Sequence, residues 1–144
     1  MFRRFLLIAS LIAVPSSVIA TAPSAAAAVP VPITIHVDRT AGDVWWSSGA
    51  FTDAGAFEDV VGSFAGPATY HVDRTFTGAD GTFTMRGDVR LVATSSPTVL
   101  GIVGRWAILS GTGAYAGMHG AGTIDEVLDF NVGITGIWSG IIVA

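Results

Sequence analysis

The 144-residue chain has room for one domain. It has no Cys, which excludes disulfides, thiol nucleophiles and thiolate metal sites. Its formal charge is −4 and all its basic residues are Arg, with no cluster among them, which argues against a nucleic-acid partner.

The chain opens with Met1-Phe2-Arg3-Arg4, then an apolar run from Phe5 to Val14, then Pro15 and the small residues Ala20 to Ala28. A basic start, a short apolar stretch and an A-x-A pattern at Ala26 and Ala28 are the marks of a secretory leader, with cleavage expected after Ala28. A retained anchor is the alternative, but the run is too short to span a bilayer comfortably. Arg3-Arg4-Phe5-Leu6 brushes against a twin-arginine signal without the preceding Ser or Thr. Cleavage would leave residues 29–144, with five Arg against eleven acids and a net charge of −6. The expected product is exported, lies free of the membrane, and needs no cofactor.

Beyond residue 28, period-two alternation dominates and helical periodicity is hard to find. Ile33, Ile35 and Val37 alternate with Thr34, His36 and Asp38. Residues 45–51 and 57–64 form the next strand candidates. Tyr70, Val72, Arg74 and Phe76 share one face of a strand, against His71, Asp73 and Thr75 on the other. The clearest alternation runs over 82–91, where Phe83, Met85, Val89 and Leu91 face one way and Thr82, Thr84, Arg86, Asp88 and Arg90 the other. Burying each of those four apolar side chains is worth roughly 1.5–3 kcal/mol, so a one-residue slip is heavily penalised. Residues 99–109, 122–131 and 134–143 complete the set. Turn signals lie between the strands, at Ala41-Gly42-Asp43, Asp53-Ala54-Gly55, Gly66-Pro67, Gly78-Ala79-Asp80-Gly81 and Ser95-Ser96-Pro97. Seven or eight short strands predict an all-β fold, a single antiparallel barrel.

His36-Val37-Asp38-Arg39-Thr40 recurs as His71-Val72-Asp73-Arg74-Thr75, either an internal duplication or a coincidence of strand-end chemistry. If the two strands were neighbours, two His and two Asp would converge as a metal site. The alternative is two solvated strand faces with cross-strand ion pairs, and no metal is expected.

The most distinctive segment runs from Gly104 to Thr123 and contains Gly111-Thr112-Gly113-Ala114-Tyr115-Ala116-Gly117-Met118-His119-Gly120. It resembles the G-T-G-x-[FY]-x-G-x-x-G element of the allene oxide cyclase and dirigent barrels, and most closely that of small exported bacterial members. Phe76-Thr77-Gly78-Ala79-Asp80-Gly81-Thr82-Phe83 is similar to the strand-turn-strand that leads into it. The likeness extends over roughly residues 60–140. It implies a barrel able to hold a small hydrophobic molecule, and brings with it the cyclase or isomerase activity of the family as an alternative. The glycine element itself is expected to be a turn or plug, with Tyr115 folded over a barrel end. A phosphate-cradling loop is the other reading, and it lacks the Lys and the strand-to-helix setting of a P-loop.

Glu126 shares a face with Ile124, Leu128 and Phe130, and Arg74 is its natural partner. The pair reads either as a catalytic acid–base device that orients a polar ligand group or as a structural buried ion pair. Trp46, Tyr70, Phe76, Trp106 and Tyr115 are the candidate ligand-binding rings. Trp45 and Trp46 must point to opposite sides of their strand. One therefore faces the lumen, while the outward ring suggests a subunit contact and a homo-oligomer. No nucleophile elbow accompanies the Ser and His residues.

Overall fold

A computed structural model describes residues 28–143. The leader expected at residues 1–28 lies, but for Ala28, outside the described residues. Eight strands follow in chain order: β1 (Val31–Asp38), β2 (Val44–Gly49), β3 (Ala54–Phe64), β4 (Thr69–Gly78), β5 (Thr82–Ala93), β6 (Val99–Gly111), β7 (His119–Asp129) and β8 (Gly133–Val143). One 3-10 turn, Gly113–Tyr115, separates β6 from β7. Each strand pairs antiparallel with its neighbours in sequence, and β8 returns to pair with β1, so the sheet closes into a barrel.

The alternation explains the closure. On β5, Phe83, Met85 and Val89 are buried and Leu91 is half-buried, while Arg86, Asp88 and Arg90 are exposed. Ile33, Ile35 and Val37 line the inside of β1, and Ile124, Trp138 and Ile142 line β7 and β8. An eight-stranded barrel is just wide enough for its interior to be filled by side chains. Glycines make room for some of the large rings. A Cβ on Gly140 would stand 2.5 Å from Cζ2 of Trp106, and one on Gly87 would stand 3.0 Å from Ile124 and 3.3 Å from Trp138.

Several boundaries differ from the expectation. β3 begins at Ala54, so the expected turn at 53–55 lies slightly earlier, and β7 begins at His119 rather than 122. β7 ends at Asp129; Phe130 follows it in the connection, 62% exposed, and does not share the inner face with Glu126. Its N–H bonds to the Thr98 carbonyl on the neighbouring connection.

The inward member of the tryptophan pair is Trp45, 1% exposed, and not Trp46, which is 45% exposed on the outer wall. Antiparallel partners share a face, and Trp45 sits opposite the inward Val37. Trp45 packs edge-on against Phe76 and Phe83 and donates its indole N–H to the Thr77 carbonyl at 3.1 Å. Trp46 stacks on His36, ring centroids 4.9 Å apart, outside the barrel.

The two ends of the barrel differ. At one end, Phe51, Phe76, Phe83 and Tyr115 stack into a continuous aromatic floor. The glycine element supplies its lid. Gly113 and Gly117 take positive φ values of 59° and 77°, which let the chain turn over the barrel end and bury Tyr115. The Tyr115 hydroxyl donates to Oδ2 of Asp53 at 2.5 Å. Asp53 also accepts N–H bonds from Ala54, Ala79 and Asp80, so one carboxylate ties three connections together.

A candidate ligand site at the open mouth

The opposite end is open. A cavity of about 330 Å³ enters the barrel there, between side chains of β3 to β8 and the start of the β1–β2 connection. Its walls are Phe64, Tyr70, Val72, Val89, Leu91, Ile102, Leu128, Ile134 and Trp138. Its polar groups are Arg39, Asp59, Arg74 and Glu126. Apolar walls with a few convergent polar groups are the usual make-up of a small-molecule site. Phe64, Phe130 and Val132 leave further exposed apolar surface at this end.

The polar groups form one network. Arg74 and Glu126 are each 3% exposed. Arg74 donates from Nη1 to Oε1 of Glu126 at 2.9 Å and from Nε to Oδ1 of Asp59 at 2.7 Å. Its guanidinium lies over the rings of Phe57 and Trp138, 4.6 and 5.1 Å from their centroids. The Trp138 indole N–H donates to the same Oε1 of Glu126 at 2.7 Å. Arg39 reaches Asp59 Oδ2 at 2.8 Å and Asp43 at 2.8 Å, and its guanidinium lies over the Phe57 ring, 4.8 Å from the centroid.

Strand geometry sets this arrangement. β3 pairs with β2 only over Ala54–Ala56, and the rest of β3 pairs with β4 alone. A register shift between Asp59 and Val61 marks a bulge at that point, a common device for re-aiming a side chain. Arg39, just past the end of β1, bridges the gap in the wall to Asp59. The repeated pentapeptide acquires a meaning here. In both copies Val faces inward and His and Asp outward, and although Arg74 is buried within β4 while Arg39 lies just past the end of β1, both arginines converge on Asp59.

The electrostatics follow. Burial alone would push the Asp59 carboxyl up; the hydrogen bond and charge of Arg74, with those of Arg39, hold it below the usual carboxylate range. Burial works against the Arg74 cation, but Glu126 and Asp59 raise its pKa above the ordinary value. The guanidinium therefore stays charged in an apolar wall.

Glu126, Arg74 and Tyr70 meet at the cavity. Phe76, Trp106 and Tyr115 are buried in the packed part of the barrel and do not line this cavity. Trp46 lies outside altogether, because the β1–β2 register turns Trp45 inward. Arg39 and Asp59 belong to the site and were not among the expected residues. The available signal was parity: Arg39 is two residues beyond the inward Val37, and Asp59 two beyond Phe57.

The two His–Asp pairs do not meet, since β2 and β3 separate β1 from β4. On the outer wall His71 bonds Asp88, and Asp73 takes a two-pronged bond from Arg86 at 2.8 and 2.9 Å. Among the described residues no group of three or more His, Cys, Asp or Glu is placed to hold a metal ion. A comparison with protein-family models, curated proteins and solved structures finds no match to this chain.

Proposed function

We propose that this chain is an exported barrel of the allene oxide cyclase and dirigent type that takes a small hydrophobic molecule into its open mouth. The observation that carries the reading is the contrast between the two ends: a packed aromatic floor under Tyr115, and above it an apolar cavity with a buried, charged Arg74–Glu126 pair in its wall. A protein that needed the barrel only as a scaffold would gain stability by filling that space with side chains. A buried ion pair is also a poor source of stability compared with apolar packing, so its presence in a cavity wall supports a role toward a ligand. The basic and apolar start of the sequence supports export, and residues 104–123 support the relationship.

The test is saturable binding of Nile red, a neutral lipophilic dye, to purified protein. One dye per chain is expected. Val89→Trp, which places a large ring in the mouth, abolishes binding while near-ultraviolet circular dichroism is retained. Non-saturable dye uptake, or unchanged binding by folded Val89→Trp, overturns the proposal.

A second reading, a cyclase or isomerase, draws on the same pair. Glu126 offers a carboxylate to a bound molecule and Arg74 a fixed cation beside it, the elements of proton transfer with charge stabilisation. Loss of turnover in folded Glu126→Gln, on any molecule that the protein converts, is the expected result; unchanged turnover removes Glu126 from the chemistry.

A further inference from the structure

Resting on the proposed mouth site, we infer that its polar anchor is the free oxygen of Glu126, and that the site selects apolar molecules bearing a neutral hydrogen-bond donor, an alcohol, over carboxylates. The two oxygens of this carboxylate differ. Oε1 accepts from both Arg74 and the Trp138 indole. Oε2 has no hydrogen-bond partner among the described residues. In those described residues that are not exposed, every fully buried side-chain nitrogen or oxygen does have one. Oε2 therefore keeps contact with the cavity that Glu126 lines. It is an acceptor only, held in place through its sister oxygen by two donors.

The charges at the mouth point the same way. Two guanidinium groups, Arg39 and Arg74, face three carboxylates, Asp43, Asp59 and Glu126, and each guanidinium is already bonded to two of them. An incoming carboxylate meets an unpartnered carboxylate oxygen in a low-dielectric wall, where like charges repel strongly. A hydroxyl avoids that penalty and gives Oε2 the donor it lacks.

The experiment displaces Nile red at pH 7 with three compounds built on a ten-carbon chain that differ at the head: 1-decanol, its methyl ether and decanoate. Decanol is expected to bind about tenfold or more tightly than either of the others, the range for one hydrogen bond to a charged group. In Glu126→Gln the anchoring oxygen is kept for Arg74 and Trp138, while the cavity-facing group becomes an amide N–H. The order should then reverse, with decanoate the best of the three. Equal binding of the three by the unaltered protein, or a preference there for decanoate or the ether, overturns the inference and leaves the mouth site standing. Failure of Nile red and all three to bind overturns the site itself. Should Glu126→Gln not fold, the order in the unaltered protein decides alone.

Discussion

Replacing Arg74 by Met tests the buried network with a magnitude that the structure sets. Met fills much of the arginine stem between Phe57 and Trp138 but leaves no cation. Asp59 keeps Arg39 and some contact with water. Glu126 keeps only the Trp138 N–H and is 3% exposed, so the stranded charge is almost wholly its own. Breaking a buried pair in this way costs about 3–5 kcal/mol, a large share of the 5–15 kcal/mol typical of a domain. Glu126→Gln keeps the acceptor for both donors and exchanges a charged bond for a neutral one, a loss of about 1–2 kcal/mol. In the double variant no charge is stranded, so its cost should fall short of the sum by about 1.5–3 kcal/mol. Urea unfolding followed by tryptophan fluorescence supplies all three numbers. The pH dependence adds a sign. The folded pKa of Asp59 lies below its ordinary value, so its contribution is present above about pH 4 and disappears as the pH falls through the folded value. Arg74→Met should flatten that acid loss. A cost below about 1 kcal/mol at pH 7, or strict additivity, would refute a charged, desolvated network in the cavity wall.

Further outcomes follow from the packed end and the walls. Tyr115→Phe should flatten the alkaline limb of the stability curve. Burial and the Asp53 carboxylate push the Tyr115 hydroxyl up, so its contribution is intact below about pH 10 and lost as the pH rises through the higher folded value; urea unfolding from pH 8 to 12 reads the slope. Met85→Ala, at a side chain with no exposure, should cost about 2–5 kcal/mol in the same assay, and a cost under 1 kcal/mol would mean that β5 does not present this face to the core. Gly140→Ala should destabilise by at least about 1–3 kcal/mol, since its Cβ would fall 2.2 Å from the Ala121 carbonyl oxygen and 2.5 Å from the Trp106 ring. Thermal denaturation checks it, and an unchanged midpoint contradicts that packing.

How much was legible in advance varied with the contrast between strand faces. β5 alternates large apolar and charged residues, so its register and inner face could be read from the sequence. Arg74 and Glu126 were readable for the same reason: each sits at an inward parity position among apolar neighbours on its own strand. β2 offers Trp on both faces, and local pattern alone cannot orient it. Its orientation comes from pairing with β1, where Val37 faces Trp45. Asp59 was obscured because the bulge after it interrupts the period of β3. Arg39 was obscured because it lies outside any strand and reaches the site only through its long side chain. The cavity itself has no sequence signature. It lies where shorter side chains such as Val72, Val89 and Ile102 share the walls with the rings of Phe64, Tyr70 and Trp138.

The most direct test of the account is to locate a bound guest. Protein carrying labelled methyl groups, titrated with 1-decanol and observed by NMR, should show through-space contacts from the alkyl chain to Leu91, Ile102 and Leu128 inside the mouth. Contacts to Ile137 and Ile141 on the outer wall instead, or none at saturating alcohol, would contradict it.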